Sequence, residues 1–298
     1  MPIAGQSVYA LLIVVLGFLV GLLSGMFGVG GGFLTTPLLI FYGIPPTVAV
    51  ASATTQITGA SVSGAMVHMR RGGVDMKMAG VMILGGLFGS FVGAGLFRLL
   101  QTTGQIDVVI GLLYVLILAW IGGLMLLDSL KSLGYLTVKE AEGRPRHNRW
   151  VASLPYRWRF HGSGIYISPV APFALGFVAG TLTVFLGIGG GFILVPAMIY
   201  LLGMPARVVF GTSLIMILAV SAVTTMVHAV TTRAVAVVLA ALLLVGGVIG
   251  AQYGALLTLR VKPDMLRLAL AVIILLVALR MALGLAWRPD EIFSIEYL

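Results

Sequence analysis

Charged residues are scarce in this 298-residue chain, and cysteine is absent from it. Charged side chains make up 9% of the residues and hydrophobic ones 60%, with a mean hydropathy of +1.13. Soluble domains carry about one quarter charged residues, so this composition indicates a polytopic membrane protein. The absence of cysteine excludes a disulfide framework, a thiol nucleophile and a metal site with cysteine ligands.

Acidic residues are absent from the middle of every long apolar run. We therefore predict no buried carboxylate relay for protons at membrane depth, and no fixed negative charge to repel a bound anion there. The sequence also lacks an HExxH motif, a GxSxG motif and a Ser/His/Asp set at that depth. We expect no catalysis, no cofactor and no metal, with an intramembrane enzyme as the less favoured alternative.

The basic residues give the chain a net charge of +9 and lie in short hydrophilic gaps. Cytoplasmic loops of membrane proteins carry their basic residues in this way. The longest gap, from Asp128 to Tyr166, interleaves arginines with Trp150, Tyr156 and Trp158. An amphipathic linker on an anionic inner leaflet explains this pattern better than nucleic-acid binding does. We expect membrane lipid, and not nucleic acid, as a partner.

Apolar runs predict five helical elements before this linker. The second run is about eleven residues long and reaches only about 16 Å as a helix, short of a core of about 30 Å. No Lys or Arg precedes the first run and no cleavage site follows it, so we expect a retained span and not a signal peptide. The five predicted elements are Ser7–Met26, Gly32–Tyr42, Thr47–His68, Val74–Leu100 and Asp107–Leu127.

A glycine-rich motif appears twice in the chain, at matching places of two matching halves. The segment from Gly28 to Phe33, followed by Pro37, returns as Gly187 to Phe192, followed by Pro196. Three consecutive glycines weaken a helix by about 1 kcal/mol each. A helix breaker repeated in the two halves of a membrane protein is the best sequence pointer to the binding site of a transporter.

The duplication predicts an all-α membrane fold of two repeats, residues 1–128 and 168–298, joined by a basic cytoplasmic linker at residues 129–167. If each short element is a separate crossing, the two halves are inverted. If each glycine break bends a single span, the halves are parallel. The basic residues do not decide, because the linker dominates the count in both arrangements. We adopt the inverted arrangement, with both termini in the periplasm.

Free N–H groups at a helix start, with no side chain to block approach, form an anion site. The alternative is that the glycines only allow tight helix crossing. The duplication and the hydroxyl groups beside the first motif favour an anion site, and hydroxyl and amide groups on the third element and its counterpart extend it. The predicted substrate-binding set is Gly30, Gly31, Gly32, Thr35, Thr36, Thr54, Thr55, Gln56, Gly189, Gly190, Gly191, Thr212 and Ser213.

His68 and His228 occupy matching helix ends in the two halves. Interfacial histidines often cap a helix or reach toward water, which is one interpretation. Histidine is also the side chain that titrates near neutral pH, so proton sensing or contact with the anion is the other.

The chain resembles the sulfite exporter TauE/SafE family of membrane transporters over about residues 7–285. The resemblance implies two inverted modules of five helical elements, and transport of small sulfur-containing anions such as sulfite or C2 sulfonates. The second copy departs from the pattern, since Thr183-Val184 stands where the first has Ser24-Gly25. The segments that carry the resemblance are Gly21–Phe33 with Pro37 and Gly180–Phe192 with Pro196.

The resemblance implies a secondary transporter of the bacterial inner membrane. We expect it to export sulfite or a C2 sulfonate such as sulfoacetate by alternating access around a midplane anion site. An anion channel and an importer of another small organic anion are the alternatives. The residues indicate the anion preference, whereas the export direction comes from the resemblance alone.

Overall fold

The computed structural model describes residues 2–3, 6–7, 9–27, 32–70, 72–132, 156–232, 234–257 and 263–286. In these residues it forms ten α-helices and two short hairpins. The first half contains α1 (Ala10–Phe27), α2 (Gly32–Phe41), α3 (Pro46–Arg70), α4 (Met76–Thr102) and α5 (Ile106–Ser132). The second half contains α6 (Val170–Leu186), α7 (Gly191–Tyr200), α8 (Ala206–Thr231), α9 (Val237–Leu257) and α10 (Pro263–Ala286).

The two hairpins are antiparallel. Strands β1 (Pro2–Ile3) and β2 (Gln6–Ser7) pair near the N-terminus, and β3 (Trp158–Phe160) pairs with β4 (Ile165–Ile167) just before α6.

Of the described helices, α4, α5, α8, α9 and α10 contain stretches long and apolar enough to cross a membrane. The structure therefore confirms the predicted all-α fold of a multi-pass membrane protein. Helices α2 and α7 have ten residues each, so they reach about 15 Å at 1.5 Å per residue. Helix α3 carries many hydroxyl groups, and its residues 49–54 are buried in the bundle.

Helices α1 and α9 lie side by side along a seam of glycines. A Cβ atom added at Gly17 would lie 2.6 Å from the carbonyl oxygen of Leu243, and one at Gly21 would lie 2.2 Å from that of Gly247. No side chain fits at such distances, so the two backbones are in contact, as in small-residue interfaces of membrane helices. The residue numbers rise together along the seam, so the two helices are parallel.

Helices α4 and α6 form a second seam of the same kind. An added Cβ atom would lie 2.1 Å from the oxygen of Phe173 at Gly85, and 2.0 Å from that of Phe177 at Gly89. These helices are also parallel. In both seams the first helix of one half packs against the fourth helix of the other half.

Equivalent helices of the two halves also pack against each other, but in opposite directions. Near the middle of the α3–α8 pair, the Thr58 hydroxyl donates to Ser221 Oγ (3.0 Å). Toward the end of α3, a Cβ atom added at Gly211 would lie 3.0 Å from Cβ of His68. The numbers rise along α3 while they fall along α8, so this pair is antiparallel.

Helices α5 and α10 are antiparallel as well. Gly111 faces Leu285, with 3.2 Å between an added Cβ atom and the leucine side chain, and Gly122 faces Ile274 at 2.9 Å. The reciprocal seams and the antiparallel pairs together give the contacts that a two-fold axis between the halves would give.

The hairpin of β3 and β4 docks on the start of α4. Its side chains Phe160, Ile165 and Ile167 are buried in one apolar cluster with residues of α4, α7 and α8. Asp75 is 2% exposed; its carboxylate accepts from the N–H of Met78, which caps α4, and from the N–H and hydroxyl of Ser163 at the hairpin tip (both 2.8 Å). This carboxylate therefore joins the linker to the loop between α3 and α4.

Candidate functional site

Helix α6 ends at Leu186 and helix α7 begins at Gly191, and we call residues 187–190 between them the second break. Gly187, Gly189 and Gly190 have φ angles of 65°, 69° and 74°. This left-handed region costs other residues about 1–2 kcal/mol each. The backbone path of the second break therefore explains why glycines occupy these three positions.

The glycines at the start of α7 are buried, and their N–H groups have no partner among the residues that the structure describes. These glycines are Gly189, Gly190 and Gly191. A buried N–H group without a partner costs about 1–3 kcal/mol, and such groups are rare in native structures. A left-handed residue next to a helical one directs successive N–H groups toward one concavity that suits an anion, and the helix start adds a partial positive charge.

The start of α2 lies directly against the second break. A Cβ atom added at Gly32 would lie 2.8 Å from the carbonyl oxygen of Gly187. One residue further on, the rings of Phe33 and Phe192 stack with their centroids 4.5 Å apart and an angle of 5° between planes. The two copies of the glycine motif thus meet. The first break, residues 28–31 with the predicted site residues Gly30 and Gly31, lies outside the described residues.

Two hydroxyl groups of the first half hold the end of α6. Thr36 Oγ1 donates to the carbonyl oxygen of Leu186 (3.1 Å), and the Tyr114 hydroxyl donates to the same oxygen. The last carbonyls of a helix have no partner within it, so these bonds fix the edge of the second break. Thr36 and its buried neighbour Thr35 belong to the predicted site, whereas Tyr114 does not. Its sequence signal is a phenol in an apolar helix, which needs a partner when buried.

Isoleucines from α3 and α8 fill the space over Gly189. An added Cβ atom there would lie 2.8 Å from Cγ2 of Ile57 and 3.0 Å from Cγ2 of Ile217. At Gly187, the carbonyl oxygen of Val50 would lie 2.6 Å from such an atom. Apolar side chains of two equivalent helices, α3 and α8, therefore close the second break in this structure.

The predicted polar residues of α3 lie on the helix that packs on the second break, but their hydroxyl groups bond within α3. Thr54 donates to Val50 O (2.8 Å) and Thr55 to Ala51 O (2.9 Å). Gln56 Nε2 donates to Leu243 O of α9 at 3.4 Å, and Gln56 Oε1 is buried without a partner among the described residues. These groups line the helix without a bond to the glycines.

The predicted polar residues of α8 lie at its other end from His228. Thr212 Oγ1 donates to Val208 O (2.7 Å) and accepts the N–H of Asp75 (3.0 Å), while Ser213 bonds Phe210 O (3.0 Å). Thr212 is thus held at the α3–α4 loop, and neither of its two bonds reaches the second break.

The two histidines differ in their surroundings. His228 is 1% exposed; its Nε2–H donates to Val184 O (3.1 Å), its ring meets the Phe97 ring edge-on at 5.1 Å, and its Nδ1 has no partner among the described residues. His68 is half-buried at the opposite end of the α3–α8 pair. The histidines therefore lie at opposite ends of the bundle, as matching positions of two antiparallel helices do.

No buried carboxylate in the described part of the chain bonds to the second break. Asp75 is the one buried carboxylate there, and its oxygens bond Met78 and Ser163. No group of three His, Cys, Asp or Glu residues in that part could hold a metal ion. The second break therefore offers backbone donors, and no buried carboxylate of the described residues bonds to it.

Comparison with known proteins gives one family match. A family model described as "Sulfite exporter TauE/SafE" matches residues 13–281. A "Probable membrane transporter protein" of Xylella fastidiosa is 29% identical over 91% of this chain and 93% of its own length. "Probable membrane transporter protein YjnA" of Bacillus subtilis is 29% identical over 90% of this chain and 98% of its own. "Sulfite exporter TauE/SafE family protein 6" of Arabidopsis thaliana is 47% identical over 17% of this chain and 12% of its own. No solved structure matches the chain.

Proposed function

Because the chain belongs to the sulfite exporter TauE/SafE family of membrane transporters, we propose that it exports a small sulfur-containing anion from a bacterial cell across the inner membrane. The substrate is sulfite or a C2 sulfonate such as sulfoacetate. The observation that carries the anion preference is that Gly189, Gly190 and Gly191 are buried while their N–H groups donate to no residue that the structure describes.

The chemistry of the substrate suits these donors. A sulfite or sulfonate group presents three oxygens on one sulfur atom, and each oxygen accepts hydrogen bonds. Backbone donors at a helix start bind such groups without a cationic side chain. The absence of a described carboxylate beside the break removes the repulsion that an anion would otherwise meet.

Inverted halves are part of the proposal. The antiparallel pairs α3–α8 and α5–α10 support this arrangement, because parallel halves would place equivalent crossing helices in the same direction. A further support is the bond between Asp75 and Thr212 (3.0 Å), which places the start of α8 at the end of the bundle where α3 stops. With the linker in the cytoplasm, both termini are periplasmic.

Alternating access is part of the proposal, and the way in which the second break is closed supports it. Ile57 and Ile217 lie on α3 and α8 and cover Gly189 from both. The anion reaches the N–H groups when these two helices separate on one side of the membrane, and leaves when they separate on the other. In inverted-repeat transporters the two openings are related by the same axis that relates the halves.

The membrane potential supplies energy for export. It is negative inside and is worth about 2.3 kcal/mol per charge per 100 mV, so a dianion gains roughly 4.6 kcal/mol on leaving at that potential. This supports a gradient on the order of a thousandfold at about 1.4 kcal/mol per decade. A site with no buried carboxylate bonded to it, among the residues that the structure describes, suits this mode of coupling.

Flux from proteoliposomes tests the proposal. Vesicles loaded with sulfoacetate or sulfite receive a potential through potassium and valinomycin. We expect efflux that is faster with a negative interior, saturates with substrate and is stimulated by substrate on the opposite side. Flux that depends on a pH gradient and ignores the potential contradicts the coupling. Flux without saturation or trans-stimulation assigns the protein as an anion channel.

A further inference from the structure

A cavity of about 660 Å³ lies between the first turns of α4 and strand β3. It is separate from the second break, because its lining residues belong to α4 and to residues 157–160, and not to α6 or α7. Its walls come from two segments that the hairpin docking brings together. The lining residues are Met76, Lys77, Gly80, Val81, Leu84, Arg157, Trp158, Arg159 and Phe160.

The charge of this cavity has one sign. Lys77, Arg157 and Arg159 line it, and no carboxylate does. Lys77 and Arg159 are exposed, and neither forms an ion pair with a carboxylate that the structure describes. The nearby Asp75 carboxylate is buried and directed to Met78 and Ser163. Three cations around one cavity make a site for a multivalent or phosphate-bearing anion.

The cavity continues into an apolar path along α4. Leu84 lines the cavity and is 62% exposed, and Phe88 and Phe91 follow on the same helix at 65% and 63% exposure. Residues spaced by three or four positions share one helix face, so these side chains form a strip that begins at the cations. Trp158, 56% exposed, stands at the rim, where tryptophan is typical of the membrane interface.

We propose that this cavity binds the phosphate headgroup of an anionic phospholipid. Lys77 and Arg159 contact the phosphate together with Arg157, and an acyl chain lies along the strip from Leu84 to Phe91. The cavity lies at the end of a helix long enough to cross the membrane. Its cations are therefore at the depth of the lipid headgroups, and the apolar strip is at the depth of the acyl chains. The bound lipid bridges the linker hairpin and α4.

Fluorescence quenching in bilayers tests the site. A variant with Trp158 as its single tryptophan carries Trp120→Phe, Trp150→Phe and Trp287→Phe. The variant is placed in bilayers of unlabelled phosphatidylcholine. Increasing amounts of a lipid brominated near its headgroup are added, either brominated phosphatidylglycerol or brominated phosphatidylcholine. We expect brominated phosphatidylglycerol to quench the fluorescence of Trp158 at least five times more effectively than brominated phosphatidylcholine does. A single-tryptophan variant that keeps Trp120, 64% exposed on α5, should show no preference between the two lipids.

Charge removal gives the matched comparison. Lys77→Gln with Arg159→Gln should lower the preference at Trp158 by at least fivefold, since each basic residue at an anionic surface is worth about 1 kcal/mol. Arg98→Gln removes an exposed cation at the other end of the same helix and should leave the preference unchanged. These side chains are exposed, and size-exclusion profiles check that the variants stay monodisperse.

Three outcomes overturn the proposal. Equal quenching of Trp158 by the two lipids shows that the cavity does not select the headgroup. A preference that persists in the double variant shows that its cations do not bind the lipid. Displacement of phosphatidylglycerol by millimolar inorganic phosphate, at constant ionic strength, assigns the cavity to a soluble anion.

Discussion

Phe33 and Phe192 stack face to face, with ring centroids 4.5 Å apart and planes 5° apart. Each phenylalanine is the last residue of its glycine motif, so the contact joins equivalent residues of the two halves. Both rings are almost fully buried, at 1% and 2% exposure. The stack therefore holds α2 and α7 together beside the second break.

Replacing either ring by alanine should destabilise the protein. Truncation of a buried Phe costs about 3–5 kcal/mol, and an aromatic pair adds about 0.5–1.5 kcal/mol of coupling. We expect Phe33→Ala and Phe192→Ala together to cost less than the sum of the single changes, measured as unfolding in detergent. Strictly additive costs would show that the rings do not stabilise each other. Phe88→Ala, at an exposed ring of α4, is the control and should cost far less.

A side chain at Gly190 should abolish substrate binding. Gly190 has a φ of 74°, and an added Cβ atom would lie 3.1 Å from the Ala179 side chain. Valine therefore strains the backbone and covers the N–H groups. The measurement is sulfoacetate or sulfite binding to purified Gly190→Val. Gly95→Val is the control, because nothing lies within 4 Å of an added Cβ atom there.

Sulfoacetate or sulfite binding of wild-type strength in a folded Gly190→Val protein would reduce the glycines to packing elements. If this variant does not fold, Gly189→Ala is the milder alternative. It places one methyl group against Ile57 and Ile217, and should weaken binding more than Gly95→Ala does.

Linking Ile57 to Ile217 should stop transport. Their Cγ2 atoms both lie within about 3 Å of one point over Gly189, and the chain has no native cysteine. In the double variant Ile57→Cys and Ile217→Cys, a short thiol-reactive cross-linker should block flux, and a reductant should restore it. Each single cysteine variant is the control. Full flux after complete cross-linking would show that α3 and α8 do not separate during transport.

Single cysteines should report the topology. We expect a membrane-impermeant thiol reagent to label Ser7→Cys and Ser294→Cys in intact cells, and Ser153→Cys only after permeabilisation. The reason is that inverted halves place both termini on the side opposite the linker. Labelling at 153 in intact cells would show that the protein has the opposite orientation, with the linker in the periplasm. Protection at 7, 153 and 294 alike would favour the parallel, bent-span arrangement, because four crossings in each half leave both termini on the side of the linker.

His228 should tolerate glutamine better than leucine. Its Nε2–H donates to the carbonyl oxygen of Val184, one of the last carbonyls of α6 that have no partner within the helix. Leucine leaves that oxygen unpaired at a cost of about 1–3 kcal/mol, whereas glutamine keeps a donor. Unfolding in detergent measures the difference, and equal stability of the two variants contradicts the role of the bond.

The pH dependence of transport separates the two histidine hypotheses. If the transport rate changes with pH near neutrality, and this change is lost in the double variant His68→Gln with His228→Gln, the histidines sense protons. A profile unchanged by this double substitution leaves both residues with a structural role at their helix ends.

The helices were predictable from the sequence because apolar runs and glycine breaks determine them locally. The predicted Gly32–Tyr42 and Thr47–His68 differ from α2 and α3 by two residues or fewer at each end. The pairing of α3 with α8 was not predictable in the same way, since contacts between distant segments depend on how whole helices fit.

Individual polar residues were harder to place than helices. Asp75 stands in the sequence among Arg70, Arg71 and Lys77, which is typical of an exposed loop. In the structure it is buried, because a hairpin of the linker brings Ser163 to its carboxylate. Thr212 is predicted for the substrate site from its sequence position, and in the structure its hydroxyl oxygen accepts the N–H of Asp75. Both contacts join residues that are far apart in the sequence, which local patterns do not reveal.

The two glycine seams have a consequence for how a repeat of this kind exists by itself. Since α1 packs on α9 and α4 on α6 with backbones in contact, neither half contains the partner of its own first helix. A single half made alone has to find a second copy that runs the opposite way, so its simplest stable form is an antiparallel homodimer. In the single chain, the first helix of each half packs on the fourth helix of the other half. A rigid body that keeps both seams intact therefore contains helices of both halves, so the moving units of the protein differ from its two repeats.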